Sequence, residues 1–114
     1  MSPALSWPVG LLAVVLLAAS CGSARRSEPV VGPMALSAAA ARGEQVFMRN
    51  CHECHPKGEG GLAPSINDKP LPGFMIRLQV RRGLGAMPEF GPHQISDAEL
   101  DDLIVYLQEL RRHG

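Results

Sequence analysis

Residues 51–55 read CHECH, which places two thiols three positions apart and an imidazole directly after the second. Few five-residue stretches restrict a fold so tightly. Such a cluster suits structural zinc, thiol–disulfide exchange or covalent attachment of a porphyrin, and each demands different company elsewhere in the chain. Structural zinc needs four ligands, commonly two pairs separated by a loop. Cys51 and Cys54 make one pair, but no second CxxC or HxxxH follows, and His93 and His113 stand alone. A thiol-exchange CxxC opens a helix after a strand, within alternating strands and helices. Here a helical pattern precedes the motif, and no run alternates with a period of two.

The third reading uses every residue. C-x-x-C-H is the attachment signature of c-type haem. Each thiol adds to one vinyl group, and the next residue, His55, is placed under the iron as proximal ligand. A large flat apolar group also answers a compositional problem. The chain has 114 residues with a single Trp, a single Tyr and three Phe, and Trp7 lies near its start. Phe47, Phe74, Phe90 and Tyr106 are the aromatic side chains left for a domain of the remainder. A domain of roughly 80 residues is marginal in the surface it buries, and such domains add a disulfide, a metal or a cofactor. Charge gives no competing lead. Eleven basic and eleven acidic side chains balance, and there is no basic run interleaved with aromatics to bind nucleic acid.

The three cysteines are Cys21, Cys51 and Cys54, an odd count that leaves Cys21 a separate task. Residues 9–19, VGLLAVVLLAA, form an uncharged apolar run ending in LAASC. The run fits the h-region of an export signal and is short for a membrane span. Small residues leading into Cys21 resemble a bacterial lipoprotein signal, in which the cysteine becomes the first mature residue and carries the lipid. An ordinary cleaved signal and a short uncleaved anchor are the alternatives. Arg25-Arg26 follows the apolar run and is therefore no twin-arginine signal. Export bears on the motif, because an unprotected CxxC outside the cytoplasm tends toward disulfide, whereas thioether bonds remove both thiols.

The remaining chain reads as helices and loops. Residues 1–20 are assigned to the signal peptide, 21–36 to a flexible linker rich in Gly, Pro and small polar residues, and 37–114 to the domain. Ser37 is a helix N-cap ahead of an alanine run, and the spacing predicts a helix over 37–50. Gly43 costs that helix about 1 kcal/mol relative to Ala, which close approach of another helix would offset. Residues 56–72 are loop, 73–82 a short helix and 83–92 loop again. Residues 96–112 give the clearest helix: Ser96 and Glu99 form a capping box, acids load its start and Arg111-Arg112 its end. Leu100, Leu103, Ile104, Leu107 and Leu110 supply its apolar stripe.

Haem iron takes a ligand on its other face, and a thioether there raises the potential. Met48 lies on the helix running into CHECH, too close to reach across the ring, and Met75 reads as a core residue of the short helix. Met87 lies in GLGAMPEF, where Gly83 and Gly85 let backbone approach a flat ligand and Pro88 stiffens the loop. His93 is the competing candidate and reads as a solvated loop histidine.

Taken together, residues 37–112 resemble the class I c-type cytochromes, small monohaem proteins. Gly43, Phe47, Cys51, Cys54 and His55 reproduce that family's spacing of glycine, aromatic and CxxCH. GGLAPSI resembles its proximal loop, RRGLGAMPEF its methionine loop, and ISDAELDDLIVYLQEL its C-terminal helix. The resemblance implies an all-α, cytochrome c-like fold of three to four helices around one covalent haem c. Its N- and C-terminal helices would cross with Tyr106 near Gly43 and Phe47. It also implies Cys51 and Cys54 as thioether sites, His55 and Met87 as iron ligands, and the Pro64 carbonyl as the group that orients His55. Arg77, Arg81 or Arg82 could meet a haem propionate, or could form a solvated helix face.

The implied function is a single-electron carrier, not an enzyme, exported to the periplasm or the outer face of the cytoplasmic membrane. A lipid on Cys21 would hold it near larger redox proteins: a quinol-oxidising complex, a dehydrogenase or a terminal oxidase. The basic stretch over 77–82 could form a docking rim. The rival reading is a haem sensor or small haem enzyme, which requires an open or labile sixth iron site.

Overall fold

The computed structural model describes residues 32–113. The predicted signal peptide, Cys21 and most of the predicted linker lie outside the described residues. Three α-helices form: α1 (Ala38–Asn50), α2 (Gly73–Arg82) and α3 (Asp97–His113), with a short 3-10 turn at Pro56–Gly58. Among the described residues there is no strand, only an isolated antiparallel bridge between Leu84 and Met87. The all-α expectation and its three helix positions hold within a residue or two.

The helix ends form where the caps indicated. Ser37 Oγ accepts the Ala40 N–H at 3.2 Å. Ser96 and Glu99 close the reciprocal box: the Glu99 N–H donates to Ser96 Oγ at 3.2 Å, and the Ser96 N–H donates to Glu99 Oε2 at 2.9 Å. Each pairing satisfies a backbone donor that the first turn leaves open.

The core lies where α1 crosses α3. α1 buries Ala40, Gly43, Val46 and Phe47, a stripe at helical spacing. α3 buries Leu100, Leu103, Ile104, Tyr106 and Leu110 against it. The Phe47 and Tyr106 rings stack at 5.4 Å between centroids, tilted by 52°. Burying a side chain such as Phe47 contributes roughly 1.5–3 kcal/mol. At the closest approach, Gly43 leaves room for the backbone of α3, which accounts for its place inside a helix. Polar clasps rim the crossing: Arg42 holds both Asp102 oxygens at 2.7 and 2.9 Å, Arg49 meets Glu99 at 2.9 Å, and Ser37 Oγ donates to Glu109 at 2.7 Å. Exposed pairs of this kind add little stability but fix the crossing angle. Met34 and Leu36, on the linker side of the predicted boundary, also pack against this core.

α2 lies across α3. Arg77 pairs with Asp101. Arg81 donates to the carbonyls of Phe90 at 2.9 Å and Ile95 at 2.7 Å and pairs with Asp97 at 2.7 Å. The basic stretch of α2 is thus largely spent on the acidic start of α3, so the docking-rim expectation finds little free charge. Met75 departs from its core assignment and is 43% exposed, and Phe74 beside it is 71% exposed. The short helix turns Ile76 and Val80 inward instead.

Candidate functional site

α1 delivers its last residues into the CHECH turn. The Cys51 N–H continues the helix ladder to Phe47 O at 2.8 Å, and the His55 N–H bonds Cys51 O at 2.9 Å, so the five residues coil into one compact turn. The following loop folds back on it. The Ala63 N–H reaches Cys54 O at 3.0 Å, and the Ile66 and Asn67 N–H groups share Gly58 O at 2.8 and 3.0 Å. This return brings the Pro64 carbonyl to 2.8 Å from His55 Nδ1. A carbonyl only accepts, so Nδ1 carries a proton, and the tautomer this bond selects has its lone pair on Nε2. His55 is buried.

Beside it opens a cavity of about 690 Å3, its mouth included. Cys51, His55 and Met87 all line it. Ile66, Leu71, Ile76, Val80, Leu103 and Leu107 give it apolar walls drawn from the loop, α2 and α3. Met87 is half-buried, and its loop is pinned by paired backbone bonds between Leu84 and Met87 at 3.1 and 3.0 Å. Met48 and Met75 are about half exposed, and neither they nor His93 line the cavity.

The rival chemistries fare poorly. Cys51 and Cys54 do not pair as a disulfide. Burial, and then the neighbouring Cys54, push the Cys51 thiol up to about 11. A thiol held protonated at neutral pH is a weak nucleophile for disulfide exchange. Among the described residues, no three His, Cys, Asp or Glu side chains gather as a metal site. His52 turns aside: its Nδ1 accepts the Lys57 N–H at 3.2 Å, and its ring meets the edge of Phe47 at 6.5 Å.

Sequence reasoning did not place four polar residues that also line the cavity: Lys69, Gln79, Gln108 and Arg111. Arg111 follows Gln108 by three positions and Leu107 by four on α3, so the phase of that stripe was the one available signal.

An apolar slot, a thiol and an imidazole with its Nδ1 bonded to a carbonyl on its wall, and a thioether on a second loop form a donor set that fits a covalently held haem. Helical crossing and slot together define a small c-type cytochrome domain. The family model described as cytochrome c oxidase, cbb3-type, subunit III matches residues 38–107, and the chain belongs to this cytochrome c family. It is 33% identical over 93 residues to cytochrome c6 of Picosynechococcus sp., covering 68% of this chain and 79% of the relative. Cytochrome c6 of Synechocystis sp. is 31% identical over 93 residues, covering 74% of this chain and 76% of the relative. The 4-cresol dehydrogenase [hydroxylating] cytochrome c subunit of Pseudomonas putida is 34% identical over 68 residues, covering 60% of this chain and 59% of the relative. No solved structure matches significantly. The cofactor is one covalent haem c with its iron, and the class of activity is electron transfer rather than enzymatic turnover.

Proposed function

We propose that this protein passes single electrons between larger redox proteins in an exported respiratory or related chain, with His55 and Met87 as the two axial ligands of its haem iron. The observation that carries this reading is the shared cavity: His55 and Met87 line the slot that Cys51 also lines. When bound, the iron accepts and releases one electron. The chain's residues do the rest. Cys51 and Cys54 tether the group by thioether bonds. The Pro64 carbonyl holds the proton of His55 Nδ1, leaving Nε2 to bind. The pinned Leu84–Met87 turn keeps Met87 on the cavity lining. Ligands kept in both oxidation states mean little rearrangement per transfer and no open position for substrate. The apolar walls exclude water and favour the reduced state.

The proposal extends to the rest of the chain. Residues 1–20 direct export, Cys21 carries a lipid, and 21–36 tether the domain to a membrane surface. The LAASC boundary supports this. Among the described residues no helix is long and apolar enough to cross a membrane. A lipid tether raises the effective concentration near membrane-bound partners, here a quinol-oxidising complex, a dehydrogenase or a terminal oxidase. The test is a spectroscopic redox titration of the purified protein with and without carbon monoxide. A single reversible one-electron transition unmoved by the gas is expected. Tight binding of the gas to the reduced form would favour the sensor or enzyme reading instead.

A further inference from the structure

Most of the cavity lining is apolar, and the Lys and Arg side chains on it are Lys69 and Arg111. Haem is a flat apolar ring with two propionate carboxylates on one edge. A carboxylate drawn from water needs a charged or hydrogen-bonding partner, so a chain that holds haem must provide for that edge.

The arginines of α2 do not. Arg77 pairs with Asp101, and Arg81 is taken up by Asp97 and two carbonyls. Arg82 is exposed and does not line the cavity. Elsewhere, Arg42, Arg49 and Arg112 each face a carboxylate. Arg111 has no such partner among the described residues. It stands on α3 four positions after Leu107 and one turn beyond the apolar wall. Lys69 is the second cation. Its ion pair with Asp68, at 3.0 Å, is 47% exposed on the lysine side and 43% on the aspartate side. So exposed a pair is weak, and a carboxylate leaving water competes with it readily.

We infer that Lys69 and Arg111 hold the propionate carboxylates of the haem and fix which edge of the ring faces these two side chains. The inference rests on haem occupying this cavity and not on the identity of the distal ligand. The two cations keep the propionates ionised and offset their negative field at the iron, which otherwise favours the oxidised state. The titratable or charged groups on the cavity wall are Cys51, His55, Lys69 and Arg111, with Asp68 beside Lys69.

The test compares the holoprotein with Arg111→Gln, Lys69→Gln, Arg111→Lys and Arg112→Gln in redox titrations between about pH 5 and pH 8. Arg111→Gln and Lys69→Gln are expected each to lower the equilibrium constant for reduction roughly three- to tenfold at neutral pH, that is by ~30–60 mV at about 59 mV per tenfold. Each is also expected to move the propionate-linked step in the profile to higher pH, since a carboxylate without its cation is protonated more readily. Arg111→Lys should keep most of the wild-type value. Arg112→Gln removes the same charge one position away and should move it less than about twofold. Equal shifts in Arg111→Gln and Arg112→Gln, or an unmoved pH profile, would overturn the inference. Should a variant fail to load haem, redox-difference infrared spectra of the wild type decide the matter. Propionate carboxylate bands constant over that pH range support the pairing, and bands that titrate as a solvated carboxylate contradict it. A failure of the Met87 assignment would appear separately, as a missing red-end absorption band in all these proteins alike.

Discussion

A Cβ placed on Gly43 would lie 2.0 Å from the Asp102 carbonyl oxygen and 2.8 Å from Tyr106 Cβ. The two helices that form the core, α1 and α3, therefore meet backbone against side-chainless backbone. Helix propensity alone would make Gly43→Ala stabilising by about 1 kcal/mol. Overpacking of a rigid contact costs about 1–3 kcal/mol, and here the obstruction is main chain that cannot rotate away. Gly43→Ala is expected to lower unfolding free energy by roughly 2 kcal/mol or more, read from denaturant unfolding. A variant as stable as wild type would show that the crossing is looser than described.

Gly83 governs the methionine loop. Its φ of 68° with ψ of 175° lies in territory nearly reserved for glycine, and a Cβ there would sit 2.5 Å from Met87 O. Gly83→Ala should cost about 1–3 kcal/mol and weaken the red-end band of methionine-bound ferric haem. Gly85, at φ +58° with open space around it, makes the comparison. Gly85→Ala should cost about 1 kcal/mol and leave the band intact.

Arg81 is a structural clamp, not a haem contact. Arg81→Met would leave the Phe90 and Ile95 carbonyls without their side-chain donor, at about 1–3 kcal/mol. Arg82→Gln, on the exposed neighbour, should change stability by less than about 0.5 kcal/mol. Parallel thermal unfolding of the two variants checks the contrast.

Stability should decline at both ends of the pH range. Arg42 holds the Asp102 carboxyl below its ordinary value, Ser96 does the same for Glu99, and Ser37 for Glu109. Depressed carboxyls stabilise the fold above their unfolded values of about 4. That contribution is lost as pH falls through the folded values. Tyr106 is opposite in sign: burial, and then Glu44, push its hydroxyl up to about 12. Its contribution is intact below about pH 10 and is lost as pH rises from there toward about 12. Asp102→Asn with Glu109→Gln should flatten the acid limb of a stability–pH curve, and Tyr106→Phe the alkaline limb.

Much of this was legible in the chain because it rests on local rules. Ser37, Ser96 and Glu99 announce helix starts, and each cap forms. The α3 stripe of Leu100, Leu103, Ile104 and Leu110 is buried as its spacing required. Gly43 and Tyr106 meet where the family resemblance implied. What stayed hidden depends on phase and loop path. The stretch GFMIRLQVRR offers apolar residues on two faces, Phe74 with Leu78 and Ile76 with Val80. Only packing against α3 and the cavity decides that the second pair turns inward. Arg81 looks like any solvated arginine until the 83–95 segment curls back to present two carbonyls. Lys69 reaches the cavity only through the fold of a proline-rich loop, which no periodicity describes.

On the proposed reading, Met87 joins His55 as the second ligand of the covalently held haem. The most direct measurement is the visible spectrum of the purified holoprotein, oxidised and reduced, for wild type and Met87→Ala. A low-spin c-type spectrum is expected, its weak red-end ferric band present in wild type and absent in the variant. A high-spin wild type, or a red-end band that survives Met87→Ala, would contradict it.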